Sequence, residues 1–331
     1  MGRVLTDVEL RFCLENGIDQ RMALGGKFDD SPRKGRVDPF WIEENRGFSA
    51  APIIQQIDAL MILQSARFAN AIVRLINAYG FAKQFGIRRI YHPGFEFLGD
   101  NVVVDGINIV KGAPTGENVL KNKFFYGRIF RPFFQMTSSR YEVLRTLTPH
   151  LDLPLCSHRS KSENELFIHI RSGDLFKKEI PHQLYGQPPF SFYKKIIEIQ
   201  KWDPVILVYE DDANPVITKL KAYLEERGIA FEAHSGTTKQ DIEILSKAKN
   251  LVIGRGNFIY PVLCLSKNIK TVFCFDSDDR DVWGLQNSDI RFVTVTDKLG
   301  AYKDDVLKTW RNTPAQNNLL LAYSEENLAF S

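Results

Sequence analysis

The pattern of apolar and polar positions changes character near residue 57. Residues 1 to about 50 hold no sustained period, and Lys27–Arg36 (KFDDSPRKGR) is charged and turn-rich, which predicts a surface loop or arm. From Ile57 the chain becomes regular. Ile57–Gln64 (IDALMILQ) is short and apolar, as a buried strand is. Asn70–Phe85 carries apolar residues at helical spacing and stops at Gly86. Arg89–His92 reads as a second strand, which completes a β-α-β unit. Asn101–Val110 (NVVVDGINIV) reads as a hairpin turning at Asp105-Gly106. Tyr141–Leu151 reads as a helix, with Pro154 as its stop.

The second half alternates more strictly. Strands are expected at Glu165–Ile170, Val205–Tyr209, Ala230–Ala233, Leu251–Ile253 and Thr271–Phe275. Between them fall helices at Phe192–Gln200, Pro215–Arg227 (closed by Gly228), Lys239–Lys247 and Phe258–Leu265. Strands alternating with helices of this length mean a parallel, doubly wound sheet. Such sheets bind ligands at the C-terminal ends of their strands.

Composition narrows the class. The chain has 331 residues, enough for two domains, and its 44% hydrophobic and 25% charged residues are ordinary for a globular protein. A net charge of +3 gives no argument for nucleic acid, so any anion must be held by a local site. Cys13, Cys156, Cys264 and Cys274 are scattered, which favours a reducing compartment, and Cys264 and Cys274 sit in apolar runs as core residues do. The first residues (MGRVLTDVELRF) lack the apolar stretch of a secretory signal, and no run approaches the roughly 18 apolar residues of a membrane span. The expected location is cytoplasmic, with peripheral membrane attachment left open.

Three stretches carry candidate chemistry. His169-Ile170-Arg171-Ser172-Gly173-Asp174 ends a strand, so His169 and Arg171, two residues apart, share a face above the sheet. Arg171 is suited to fork onto paired phosphates. The structural alternative is an Arg171–Asp174 salt bridge closing a loop. Gly254-Arg255-Gly256-Asn257-Phe258 follows a strand and opens a helix, with Asn257 as candidate N-cap. The helix start and Arg255 together make an anion site, or else the segment is an ordinary glycine turn. Asp241 either completes a capping box in Thr238-Lys239-Gln240-Asp241 or accepts hydrogen bonds from a nucleobase edge. A last acidic cluster, Asp276-Ser277-Asp278-Asp279, resembles a DxD metal site or is a solvated loop.

In this order the pieces resemble the α-1,2-fucosyltransferase family. Its H-V-R-R-G-D motif is matched by His169–Asp174, with Ser172 in place of the second arginine. Its G-R-L-G-N-Q motif is matched by Ala66–Ala71, where Arg67 and Asn70 are kept and both glycines are alanine. A third block runs here from Asp241 through Leu245-Ser246 to Asn257-Phe258, and Trp310–Gln316 looks like the tryptophan-centred helix that ends bacterial relatives.

The resemblance implies an α/β protein of the GT-B type, two Rossmann-like domains with a cleft between them. Residues 1–155 would be the acceptor domain and 156–300 the donor domain, and 301–331 would be helices packing back toward the N-terminal domain. It implies an inverting, metal-independent transferase that moves a sugar, fucose by default, from a GDP-sugar donor substrate to a glycan or polysaccharide acceptor. No further cofactor is implied. His169 and Asp241 would read the base. Arg171 and the backbone at Gly256–Phe258 would hold the pyrophosphate, with Arg255 standing in for the missing arginine. Arg67 and Asn70 would approach from the other domain, and Asp174 or His92 would be the base. Two other readings stay open: a metal-dependent transferase using Asp276 and Asp278, and a non-catalytic nucleotide-sugar-binding relative.

Overall fold

The computed structural model describes residues 57–115, 119–125, 138–156, 162–177, 181–276 and 279–331. The expected arm at residues 1 to about 50, the loop Lys27–Arg36, Cys13 and Asp278 lie outside them. The chain divides into two units, the first ending at Asp152 and the second starting at Leu153, just ahead of the boundary expected at 155.

The first unit contains β1 (Ala59–Ile62), α1 (Phe68–Phe85), β2 (Arg89–His92), β3 (Asn101–Val104), β4 (Ile107–Lys111), β5 (Val119–Asn122) and α2 (Arg140–Leu147). Its sheet runs β3-β4-β2-β1-β5 and is parallel except for the β3–β4 hairpin. Asp105 and Gly106 turn that hairpin with φ of 49° and 78°, the paired positive values a type I′ turn needs. The Tyr79 hydroxyl and Lys83 Nζ on α1 both donate to the Asp105 carboxylate at 2.9 Å, which ties the hairpin to the helix. α2 is shorter than expected. It gives way to a 3-10 turn at Thr148–His150, because Pro149, not Pro154, removes the next backbone donor.

The second unit contains β6 (Leu166–Ile170), α3 (Asp174–Lys177), α4 (Phe190–Ile197), β7 (Val205–Tyr209), α5 (Pro215–Glu226), β8 (Phe231–His234), α6 (Thr238–Ser246), β9 (Asn250–Ile253), α7 (Ile259–Leu265), β10 (Thr271–Phe275), α8 (Arg280–Trp283), β11 (Arg291–Asp297), α9 (Pro314–Ala322) and β12 (Leu328–Phe330). The sheet order is β12-β11-β10-β9-β6-β7-β8, and only β12 runs antiparallel. From β6, the chain winds outward through β7 and β8, then returns to lay β9, β10 and β11 on the other side. This is the doubly wound order whose switch point lies between β6 and β9. β6 and β7 are buried along their whole length, and β7 reads as a continuous apolar run, because helices cover both faces. α5 starts cleanly: Asn214 caps it by accepting from the Val216 N–H at 3.0 Å, and Pro215 supplies a helical φ where no donor is needed.

Two expectations about the C-terminus are corrected. Residues 301–331 belong to the second unit and pack on its own sheet and helices. β12 pairs with β11, Leu320 and Leu328 share the core of β6 and β7, and α9 packs on α4 and α5. The apolar face of this segment fills a gap in the core beside its own sheet. Trp310 is not at the centre of a helix. Pro314 can only begin one, Thr313 caps it, and Asn312 sits at φ 56°, so α9 starts after the tryptophan. Among the described residues, no helix is long and apolar enough to cross a membrane.

Leu220 on α5 is fully buried in this core. Leu220→Ala should lower the unfolding free energy by about 3 kcal/mol, measured by urea titration followed by circular dichroism.

Candidate functional site

The loops that leave β6 and β9 emerge side by side. His169 is in register with Ile253, and the Gly254 N–H donates to the His169 carbonyl at 3.0 Å. One register therefore delivers Arg171–Asp174 and Gly254–Phe258, far apart in sequence, to the same point of the C-terminal edge.

The first loop is anchored from below. Ser172, in the position where the resemblance has a second arginine, is fully buried. Its hydroxyl donates to Asp211 Oδ1 at 2.7 Å and accepts from the Asn214 N–H at 2.9 Å. Asn214 Nδ2 donates to the Arg171 carbonyl at 2.9 Å. Burial penalises the Asp211 charge. Hydrogen bonds from Lys177, Ser172 and the N–H groups of Ala213 and Gly173 outweigh that penalty and hold its carboxyl well below the usual range. Gly173, at φ 60°, takes the left-handed backbone that favours glycine, and the Glu210 carboxylate lies against it. Ser172 thus shapes the loop and is not turned toward a ligand.

Above this base the predicted side chains assemble. Arg171 Nη2 donates to Asp174 Oδ1 at 2.9 Å, so the salt-bridge reading of the motif holds. The pair also fixes the guanidinium, whose Cδ and Nη1 pass 3.9 Å from where a Cβ of Gly256 would stand. Gly256, at φ 136°, has a backbone conformation that favours glycine. The His169 ring lies 5.2 Å from the Phe258 ring, centroid to centroid. Burial, and then the Arg171 charge, push His169 down to about 3, so it is a neutral imidazole at physiological pH. Its Nδ1 is buried without a hydrogen-bond partner.

Arg255 lines a cavity of about 50 Å³ together with Tyr185, Tyr260 and Asp279. Burial lowers its basicity, and the Asp279 and Asp276 carboxylates oppose that effect. Asn257 is not the N-cap expected. Its carbonyl accepts from the Tyr260 N–H at 3.3 Å, the cap position falls on Phe258, and no side-chain cap forms.

Asp241 changes its meaning. The capping box of α6 is Thr237 with Gln240, one residue earlier than expected, so Asp241 is released from that duty. Its Oδ1 is buried without a partner. Burial, followed by the nearby Glu210 charge, pushes its carboxyl up to about 6, partly offset by His234. Because Glu210 also lies against Gly173, the same carboxylate borders both Asp241 and the Arg171 loop.

The remaining candidates lie elsewhere. Arg67 is the exposed cap residue of α1 and Asn70 is in its first turn, both in the first unit. His92 Nδ1 accepts from the N–H groups of Gly94 and Phe95 at 3.2 Å each, so it is committed to its turn and is no free base. Asp276 is paired with Lys303 at 2.9 Å. Asp211 and Gln187 hold the site loops and were not singled out from sequence. Asp211 sits in an acidic run, Glu210–Asp212, and Gln187 in a stretch without any motif.

Fold and site together place two arginine-bearing loops at the switch point of a doubly wound sheet. No protein-family model matches the chain, and no curated protein matches it. Among solved structures, an Arabidopsis thaliana FUT1 mutant in complex with GDP is similar at a TM-score of 0.41 and 10% identity, over 67% of this chain and 71% of that one. The ADP-heptose LPS heptosyltransferase II of E. coli is similar at a TM-score of 0.28 and 13% identity, over 73% and 70%. Scores this low assign no residue and no activity to the chain.

The raised Asp241 has a consequence for stability. A carboxyl whose folded value lies above its unfolded value makes the fold less stable as pH rises through that window. Asp241→Asn should therefore raise the melting temperature at pH 7.5, and the advantage should vanish near pH 4, as read by differential scanning fluorimetry across pH.

Proposed function

We propose that the chain is a nucleotide-sugar-dependent glycosyltransferase of the GT-B type. It moves a sugar, fucose by default, from a GDP-sugar to a glycan acceptor with inversion and without a metal ion. The observation that carries this reading is the meeting, at one switch point, of the β6 loop that carries Arg171 and the β9 loop that carries Arg255. Both are suited to a diphosphate.

The chemistry follows from the charge. In the inverting step, an acceptor hydroxyl oxygen bonds to the anomeric carbon as the bond from that carbon to the diphosphate oxygen breaks. The hydroxyl proton goes to a base, and the nucleoside diphosphate departs with an added negative charge. Guanidinium groups already in place stabilise that charge without reorganising, and losing one such contact costs about 3–4 kcal/mol of barrier. Asp174, in its ion pair, serves to orient Arg171, so its role is support and not proton abstraction.

Base recognition fits guanine. A carboxylate at Asp241 accepts two N–H donors, and guanine presents two adjacent ones on its Watson–Crick edge. Neutral His169 with Phe258 supplies a ring face and one free nitrogen. The metal-dependent alternative would need Asp276 to leave Lys303.

Three outcomes are expected. GDP should raise the melting temperature saturably, with or without EDTA, whereas UDP, ADP and CMP should not. Metal-dependent stabilisation by UDP would overturn the reading. Arg171→Ala should fold normally yet lose GDP binding and lower turnover by about 10²–10³-fold, and wild-type transfer by that variant would refute the site. GDP affinity should fall as pH drops through about 6, the value to which the Asp241 carboxyl is raised, and Asp241→Asn should be weak and flat over the same range.

A further inference from the structure

The segment after β11 was singled out for Trp310 and has no part in the chemistry above. Its contacts give it one. Gln187 is fully buried in the stretch before α4. Its Nε2 donates to the Tyr185 carbonyl at 2.8 Å and the Arg255 carbonyl at 3.1 Å, and its Oε1 accepts from the Arg255 N–H at 3.2 Å. Two carbonyls and one N–H around the amide allow only that orientation. The side chain thus pairs with Arg255 as a neighbouring strand would, carrying the β9 ladder one step beyond Ile253. Gly254 leaves room for it, since a Cβ there would stand 2.9 Å from Oε1.

Gln187 is held in turn by the C-terminal segment. The fully buried Tyr302 hydroxyl donates to the Gln187 carbonyl at 2.7 Å. Gly186 lies so close to the Val306 carbonyl that a Cβ would overlap it. The Trp310 backbone N–H donates to the Gln183 carbonyl at 2.9 Å. The same residue's indole N–H donates to the Leu175 carbonyl at 3.0 Å, and Asn312 Nδ2 donates to the Phe176 carbonyl at 2.9 Å. Leu175 and Phe176 directly follow the Arg171–Asp174 loop. One short segment therefore braces both loops that carry an arginine to the crevice.

We propose that Gln187 and Tyr302 are positioning residues that set Arg255 for a nucleoside diphosphate, with residues 302–312 as their brace. This rests on the diphosphate reading of the site. A residue that merely fills the core would weaken every ligand alike, or none. A residue that acts through Arg255 weakens only the phosphate part of binding, and its effect disappears once Arg255 is removed.

The test is isothermal titration of the full-length protein with GDP and with guanosine. It compares the wild type, Gln187→Met, Arg255→Met, their combination, and Tyr302→Phe. Gln187→Met should weaken GDP by about tenfold while guanosine changes by no more than about twofold, and the double variant should bind GDP no worse than Arg255→Met alone. Tyr302→Phe keeps the ring and should show the same selective loss to a smaller degree, which serves if Gln187→Met does not fold. Equal losses for GDP and guanosine, or losses that add in the double variant, overturn the proposal. A wild type that binds GDP no tighter than guanosine overturns the diphosphate reading itself, and this inference with it.

Discussion

β6 and β9 lie side by side at the centre of the second sheet, although β7, β8 and four helices separate them along the chain. Their parallel pairing ends with the Gly254 N–H on the His169 carbonyl. Beyond that bond the two strands no longer pair with each other, and their loops leave the sheet. Every feature of the candidate site depends on this exit. It sets Arg171 against Gly256, stacks His169 near Phe258 and leaves the Arg255 cavity between the ends of β9 and β10.

The crevice departs from what stability alone would select. A neutral histidine nitrogen and a carboxylate oxygen are buried without partners, and a guanidinium is held where burial works against its charge. Each of these costs free energy in the free protein. Three such groups beside the two loops are in keeping with a place where binding has been favoured over stability. The surrounding polar groups follow the opposite rule. Ser172, Asp211, Asn214 and Gln187 are all satisfied, and they hold the loops that carry the unsatisfied ones.

The C-terminal segment shows how such a crevice is kept in shape. Tyr302 and Trp310 lie in the core with their polar atoms bonded to loop carbonyls. Carbonyls of this kind have no helix or strand to satisfy them, so a buried hydroxyl or indole N–H fixes a loop that the sheet leaves free.

The residues alone determined the strands and helices wherever the signal was local. The run VILVY at Val205–Tyr209, the turn at Asp105-Gly106 and the glycine after α1 each act on their own backbone, and the structure places them as the pattern implied. The position of His169–Asp174 and Gly254–Phe258 at strand ends was legible for the same reason. What local pattern could not settle was which element each polar side chain would meet. A one-residue shift of the capping box freed Asp241, the buried partners of Ser172 turned it inward, and Pro314 with Asn312 took Trp310 out of a helix. Gln187 carried no signal, because its partner is 68 residues away and is reached only through the sheet register. Hydrogen bonds within a turn are written into adjacent residues, whereas those that build the crevice exist only after long-range strand pairing has brought their groups together.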